Sequence, residues 1–159
     1  MKTATITELK RELKTKSTPE LLELCLKLSR FKKETKEYLT YLIFESEDEK
    51  EYIENVKAFI TEEFLEMNTD TYYFMRKTVR KILKSVKKFV RFSKKKETEL
   101  ELLMHFCHEM RKVKPLIKHN QTLFNTYIKQ IEMAQKALSN LHPDLQLDYQ
   151  LQLDVLDQL

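Results

Sequence analysis

The chain contains no glycine in 159 residues, and that absence narrows its folds more than any residue it does contain. Glycine enters left-handed backbone conformations without steric cost, so tight hairpin turns and phosphate-cradling loops normally depend on it. A β-rich fold is therefore disfavoured. A Walker loop, a dinucleotide fingerprint and a nucleophile elbow are excluded in their usual forms. Hydrophobic residues at 42% and charged residues at 34% describe a chain that buries a core, and the length suits one domain, 1–159. What remains is an all-α protein of six to eight helices. It is read as a bundle or as an irregular αα-superhelix, because the second to seventh helices fall into three hairpins of unequal length.

Helix starts and stops are legible without glycine. Thr5 with Glu8 forms a capping-box pattern, opening a first helix at about 6–14. Thr18-Pro19 places a cap before a proline at the first helical position. The second helix, to about residue 31, and the third, at about 33–45, carry apolar residues on most of their circumference. A helix apolar nearly all round is surrounded by others, so these two are expected at the centre of the fold. Ser46 with Glu49 reads as a second capping box for a helix at about 47–67, with Ile53, Val56, Ile60, Phe64 and Met67 on one face. Further helices are expected at about 71–93, 96–112 and 120–140.

After Pro143, Leu145, Leu147, Tyr149, Leu151, Leu153 and Val155 alternate with polar residues. Taken alone, that alternation spells a strand. With no partner strand in the chain a helix is preferred, and as a helix 143–159 shows two apolar stripes, which suits a segment in contact with a partner. Cys25 and Cys107 both sit in apolar helical surroundings and are expected to be reduced core residues. The beginning of the sequence has no apolar run of signal-peptide length. The longest apolar stretch, Tyr38 to Phe44, falls far short of the roughly 20 residues of a membrane span. A soluble cytoplasmic protein with no membrane span is expected.

The stretch from Glu20 through Leu21-Leu22-Glu23-Leu24-Cys25-Leu26 to Glu34, continuing through Tyr38 to Glu45, resembles a segment of uncharacterised small helical bacterial proteins. The resemblance extends over most of the chain. It implies an all-helical fold and carries no activity, catalytic residue or cofactor.

Charge is concentrated in one helix. Residues 71–96 hold eleven cations and no acid, whereas the whole chain nets only +4. The cations Arg76, Lys77, Arg80, Lys81, Lys84, Lys87, Lys88 and Arg91, continued by Lys94, Lys95 and Lys96, fall up to Lys95 in an arc of about 140°, opposite an apolar arc of about 120°. This basic face is the leading candidate binding surface. A charge stripe opposite an apolar stripe is also how an ordinary surface helix looks, and the preceding helix supplies eight acids able to neutralise part of it. Solvation or internal pairing is the first reading, an acidic protein partner the second, nucleic acid the third and an anionic membrane the last. Of the aromatic residues only Tyr73 lies in the basic arc, so base stacking has little support.

Two constellations suggest chemistry. Glu101, His105 and His108 share a helix face at four- and three-residue spacing, while Cys107 points about 100° away from His108 into the apolar arc. A His-His-Glu surface site is one reading of that face and simple solvation the preferred one. Glu20-x-x-Glu23 with Glu45-x-x-Asp48 resembles the acidic pattern of all-α nucleotide pyrophosphatases of the MazG type. That resemblance implies four carboxylates holding Mg²⁺ against a triphosphate. Against it, 19 glutamates make such spacing easy to meet by chance, and Glu45 and Asp48 straddle a predicted helix start. His119 and His142 fall at helix boundaries, where capping or exposure is the expected role.

No serine or cysteine has an activating context, and no cofactor is implied. The sequence therefore points to a non-catalytic helical binding or scaffold protein working through protein contacts or self-association. A Mg-dependent nucleotide hydrolase and nucleic-acid binding through 71–96 stand as the rivals.

Overall fold

The computed structural model describes residues 2–158. Those residues form eight α-helices and no strand: α1 (Ile6–Leu13), α2 (Thr18–Phe31), α3 (Lys33–Thr40), α4 (Glu49–Leu65), α5 (Tyr72–Ser93), α6 (Lys96–Lys112), α7 (Gln121–Leu138) and α8 (Pro143–Asp157). Short π-helical (Tyr41–Glu45) and 3₁₀ (Ile117–His119) turns join α3 to α4 and α6 to α7. The all-α reading holds, and the segment after Pro143 is a helix despite its alternation. Among the described residues no helix is long and apolar enough to cross a membrane. The chain divides into two compact units, one ending at Phe44 and the other beginning at Glu45.

In the first unit, α1 opens with the expected capping box. The Thr5 amide donates to Glu8 Oε2 at 2.7 Å and the Glu8 amide donates back to Thr5 Oγ1. The cap of α2 is Ser17 rather than Thr18. Its amide donates to Glu20 Oε2 at 2.8 Å, which moves Pro19 one position inward. The expectation that the second and third helices form the centre of the fold is overturned. Neither α2 nor α3 has a buried residue, and Leu22 is 61%, Phe31 78% and Phe44 76% exposed. All-round apolarity sets a demand for neighbours, but three helices of 8, 14 and 8 residues cannot surround one another. Cys25 is accordingly exposed, contrary to expectation.

The core lies in the second unit, around α6. Leu100, Leu102, Leu103, Met104, Phe106, Cys107 and Met110 are all buried there. They cover an arc of about 200° at ~100° per residue, so α6 is the helix enclosed by others. α4 contributes Ile53, Val56, Ile60 and Phe64; α5 contributes Met75, Val79, Ile82 and Val86; α7 contributes Leu123, Tyr127, Ile131, Ala134 and Leu138. Phe64 meets Phe106 with ring centroids 5.5 Å apart. The directions follow from which residues meet. Tyr52 with Phe89 and Glu63 with Lys81 pair in reversed order, so α4 and α5 are antiparallel. Lys57 with Glu101 and Thr61 with His105 pair in the same order, so α4 and α6 are parallel.

α8 docks by its second half. Leu153 and Leu156 are buried, the Tyr127 hydroxyl donates to the Leu156 carbonyl at 2.5 Å, and Arg111 donates to the carbonyls of Val155 and Gln158. These donors satisfy backbone acceptors that a helix C-terminus leaves without intrahelical partners. His142 caps α8, its Nδ1 accepting from the Asp144 amide. The cap of α4 is Asp48, accepting from the Glu51 amide at 3.0 Å, not the expected Ser46.

Where helices usually end on glycine, α5 ends on Lys94 at φ 60°, a left-handed conformation that crowds a side-chain Cβ. Lys94→Gly is therefore expected to stabilise the protein by about 0.5–1 kcal/mol, the strain relieved exceeding glycine's added chain entropy, as a rise in the urea midpoint would show. Burial pushes the Cys107 thiol up to about 12, whereas Cys25 is open to solvent. A thiol reagent at neutral pH should modify Cys25 quickly and Cys107 only at the rate of unfolding.

Candidate functional site

The cations of α5 face outward as their periodicity requires. Lys77, Arg80, Lys81, Lys84, Lys87 and Arg91 are exposed, with Arg76 and Lys88 half-buried. Neutralisation by α4 is partial. Lys81 pairs with Glu63 at 2.9 Å and Lys95 with Glu49 at 2.9 Å, but Glu51, Glu54, Glu62 and Glu66 turn to solvent. Lys88 lies 4.7 Å from the Phe89 ring centroid. Among the described residues, Arg76, Lys77, Arg80, Lys84 and Lys87 have no carboxylate within ion-pair distance.

Beside these cations runs a groove of about 620 Å³. Leu83 and Val90 of α5, Leu103 of α6 and Met133 of α7 line it with apolar atoms. Arg80, Lys84, Lys87 and Arg91 form its basic rim, and Glu99 contributes an acid. The four rim cations occupy positions i, i+4, i+7 and i+11, a straight row about 17 Å long. Sequence periodicity identified the row; the apolar floor depends on α6 and α7 and was not visible in the sequence.

A second groove, of about 390 Å³, lies among α4, α6 and α8. Lys57 reaches Glu101 at 2.6 Å and Glu54 at 2.9 Å. Burial works to lower the Lys57 pKa, but hydrogen bonds and charge from these carboxylates raise it overall. The Tyr149 hydroxyl shares its proton between Glu97 at 2.9 Å and Glu101 at 2.8 Å; burial and then these two carboxylates hold the phenol well above its ordinary range. His105 Nε2 contacts the Thr61 hydroxyl at 2.8 Å, and burial pushes this imidazole down.

Glu101 therefore serves Lys57 and Tyr149, and the carboxylate beside the two imidazoles is Glu109. It is 5% exposed, 3.4 Å from His108 Nδ1, 3.9 Å from His105 Nε2 and 2.7 Å from Lys112 Nζ. Sequence reasoning passed over Glu109, although it follows His105 by four residues; the helical wheel places it about 100° from His108. As expected, Cys107 points into the core.

The four carboxylates of the pyrophosphatase-like pattern have local tasks. Glu20 closes the α2 capping box, and the Ser17 amide holds its carboxyl below the usual range. Glu23 pairs with Lys27 at 2.9 Å, Glu45 ends the π-helical turn, and Asp48 caps α4. Among the described residues, the His, Cys, Asp and Glu side chains close enough to share one ion are His105, His108 and Glu109. Comparison with protein-family models, curated proteins and solved structures finds no match to the chain.

A half-buried acid also ties three helices together. Glu49 Oε1 accepts from Ser93 and from Thr98, the latter at 2.5 Å, while Lys95 approaches Oε2. Burial alone would raise its pKa, but the three donors hold it below the ordinary value of 4.5. A depressed carboxylate stabilises the fold above the unfolded-state pKa and loses that contribution as pH falls through the folded one. Glu49→Gln should therefore destabilise at pH 7 by about 1–3 kcal/mol. The gap to wild type should narrow in denaturant titrations below about pH 4.5.

Proposed function

We propose that this protein is a non-catalytic helical binding protein that acts through protein contacts, and that the contact joins copies of the chain. The C-terminal helix of one copy lies in the basic groove of the next. The observation that carries this reading is the row of exposed cations beside an apolar floor, together with a helix of matching chemistry in the same chain. On α8, Leu147, Leu151 and Val155 are exposed in one stripe. Asp148 flanks that stripe on one side and Asp154 on the other, with Asp144 in line with it at the helix start, all within an arc of about 120°. The opposite face of α8 is docked through Leu153 and Leu156, so the acidic apolar ridge is held outward.

From Asp144 to Asp154 the ridge spans about 15 Å, against about 17 Å for the cationic row. A ridge of leucines between aspartates set into an apolar groove rimmed by lysine and arginine is the helix-in-groove mode of recognition, with charge complementarity fixing the direction. Donor and acceptor surfaces differ, so each copy can both give and receive, and the assembly grows head to tail into a ring or a filament. Cation rows also attract phosphate backbones, but nothing aromatic stands among Arg80, Lys84, Lys87 and Arg91 to stack on bases.

Light scattering on the full chain from about 1 to about 100 μM should show mass rising above one chain at low salt and falling back as salt is added. Lys84→Glu with Lys87→Glu should abolish association, as should Asp148→Lys with Asp154→Lys, and mixing the two variants should restore a pair. A monomer throughout would overturn the reading. A low-salt mobility shift with nucleic acid, without self-association, would reassign the row to phosphate binding.

A further inference from the structure

We propose that His105, His108 and Glu109 form a zinc-binding site at the edge of the groove between α4, α6 and α8. Their ligand atoms lie within 4.8 Å of one another, with Glu109 Oε1 at 3.4 Å from His108 Nδ1 and 3.9 Å from His105 Nε2. Ligands at the usual zinc distance of about 2.0–2.1 Å in tetrahedral geometry sit about 3.3 Å apart, so small side-chain rotations close the set. Two imidazoles and one carboxylate suit zinc better than magnesium or calcium, which take all-oxygen shells. Three protein ligands leave a fourth position for a water or an anionic group, and His105 and His108 both line the groove, where Tyr149 and Gln152 also stand.

All three residues stand on α6, the helix most enclosed by others, so the donors are carried on a rigid element. The carboxylate gives a second reason. Glu109 is buried, and its charge is met by Lys112, whose side chain is 56% exposed and can swing to solvent. A dication at the same place meets the buried charge more fully. Binding would displace two present contacts, the Lys112 ammonium from Glu109 and the Thr61 hydroxyl from His105 Nε2. If the cluster is only an ion pair with neighbouring histidines, removing Lys112 creates nothing; if it is a metal site, removing Lys112 removes a competitor.

Calorimetric titration of the full chain with zinc chloride, after chelator treatment, tests this. One ion per chain is expected, with a Tm rise of about 5–10 °C at roughly 100 times Kd. His108→Ala replaces an exposed side chain and should leave the fold intact while weakening binding about 100-fold. Lys112→Ala should tighten binding several-fold. Cobalt in place of zinc should give the visible absorption of a four-coordinate nitrogen and oxygen site, lost in His105→Ala. Zinc binding unchanged in His105→Ala with His108→Ala would overturn the site, as would no binding at all. Weaker rather than tighter binding in Lys112→Ala would overturn it equally. Self-association unaffected by zinc is compatible with the site, because the basic groove lies on the other side of α6.

Discussion

The enclosure of α6 is the constraint from which the rest of the second unit follows. Four helices pack on it, and its buried apolar residues occupy an arc of about 200°. Five of its ionisable side chains are consequently crowded into what is left. Glu97, Glu101, His105, His108 and Lys112 fall within about 80° of one another on the helical wheel. That crowding places Lys57 and Tyr149 on Glu101 and gathers two imidazoles and Lys112 about Glu109. The cluster is thus a product of core packing: a helix buried over most of its surface concentrates many of its polar residues into one strip.

Much of the fold was legible in the sequence, because helix ends carry their own chemistry. Thr5 with Glu8 and His142 mark starts through side-chain oxygen or nitrogen that a free amide must find. The centre of the fold was misplaced for an equally physical reason. Counting apolar residues around α2 measures how much that helix could bury, not whether neighbours exist to bury it. α6 carries more charged residues than α2, and nothing in its own sequence sets it apart as the enclosed helix. Its enclosure appears only when α4, α5, α7 and α8 are seen to converge on it. Pairings such as Glu49 with Thr98, 49 residues apart, leave no periodic trace.

Charge tells a similar story at longer range. The sequence shows a polarised molecule, with eleven cations in 71–96 and four aspartates after Pro143. It does not show which acids reach which cations. Glu63 and Glu49 do, because their Cβ directions on α4 face α5, whereas Glu51, Glu54, Glu62 and Glu66 project from other arcs. A helix of 17 residues can aim only one stripe at its neighbour, and α4 fills most of that stripe with Ile53, Val56, Ile60 and Phe64. The apolar demand of the core therefore limits how far α4 can neutralise α5, and the cations left over are a consequence of packing.

The two grooves draw on opposite sides of α6. Glu101, His105 and His108 point roughly 180° away from Glu99 and Leu103, which line the basic groove. An enclosed helix with several packed neighbours transmits little side-chain motion across its axis when its core face is filled by rotamer-locked leucines. Occupation of the histidine cluster and occupation of the cationic groove should then be energetically separable, with coupling well below the 1–3 kcal/mol typical of linked sites. α8 lines the histidine groove through Tyr149 and Gln152 while presenting Leu147 and Leu151 outward. Coupling between the histidine groove and the outer face of α8 would pass through the docking of that helix, held by Leu153, Leu156 and the carbonyl contacts of Tyr127 and Arg111.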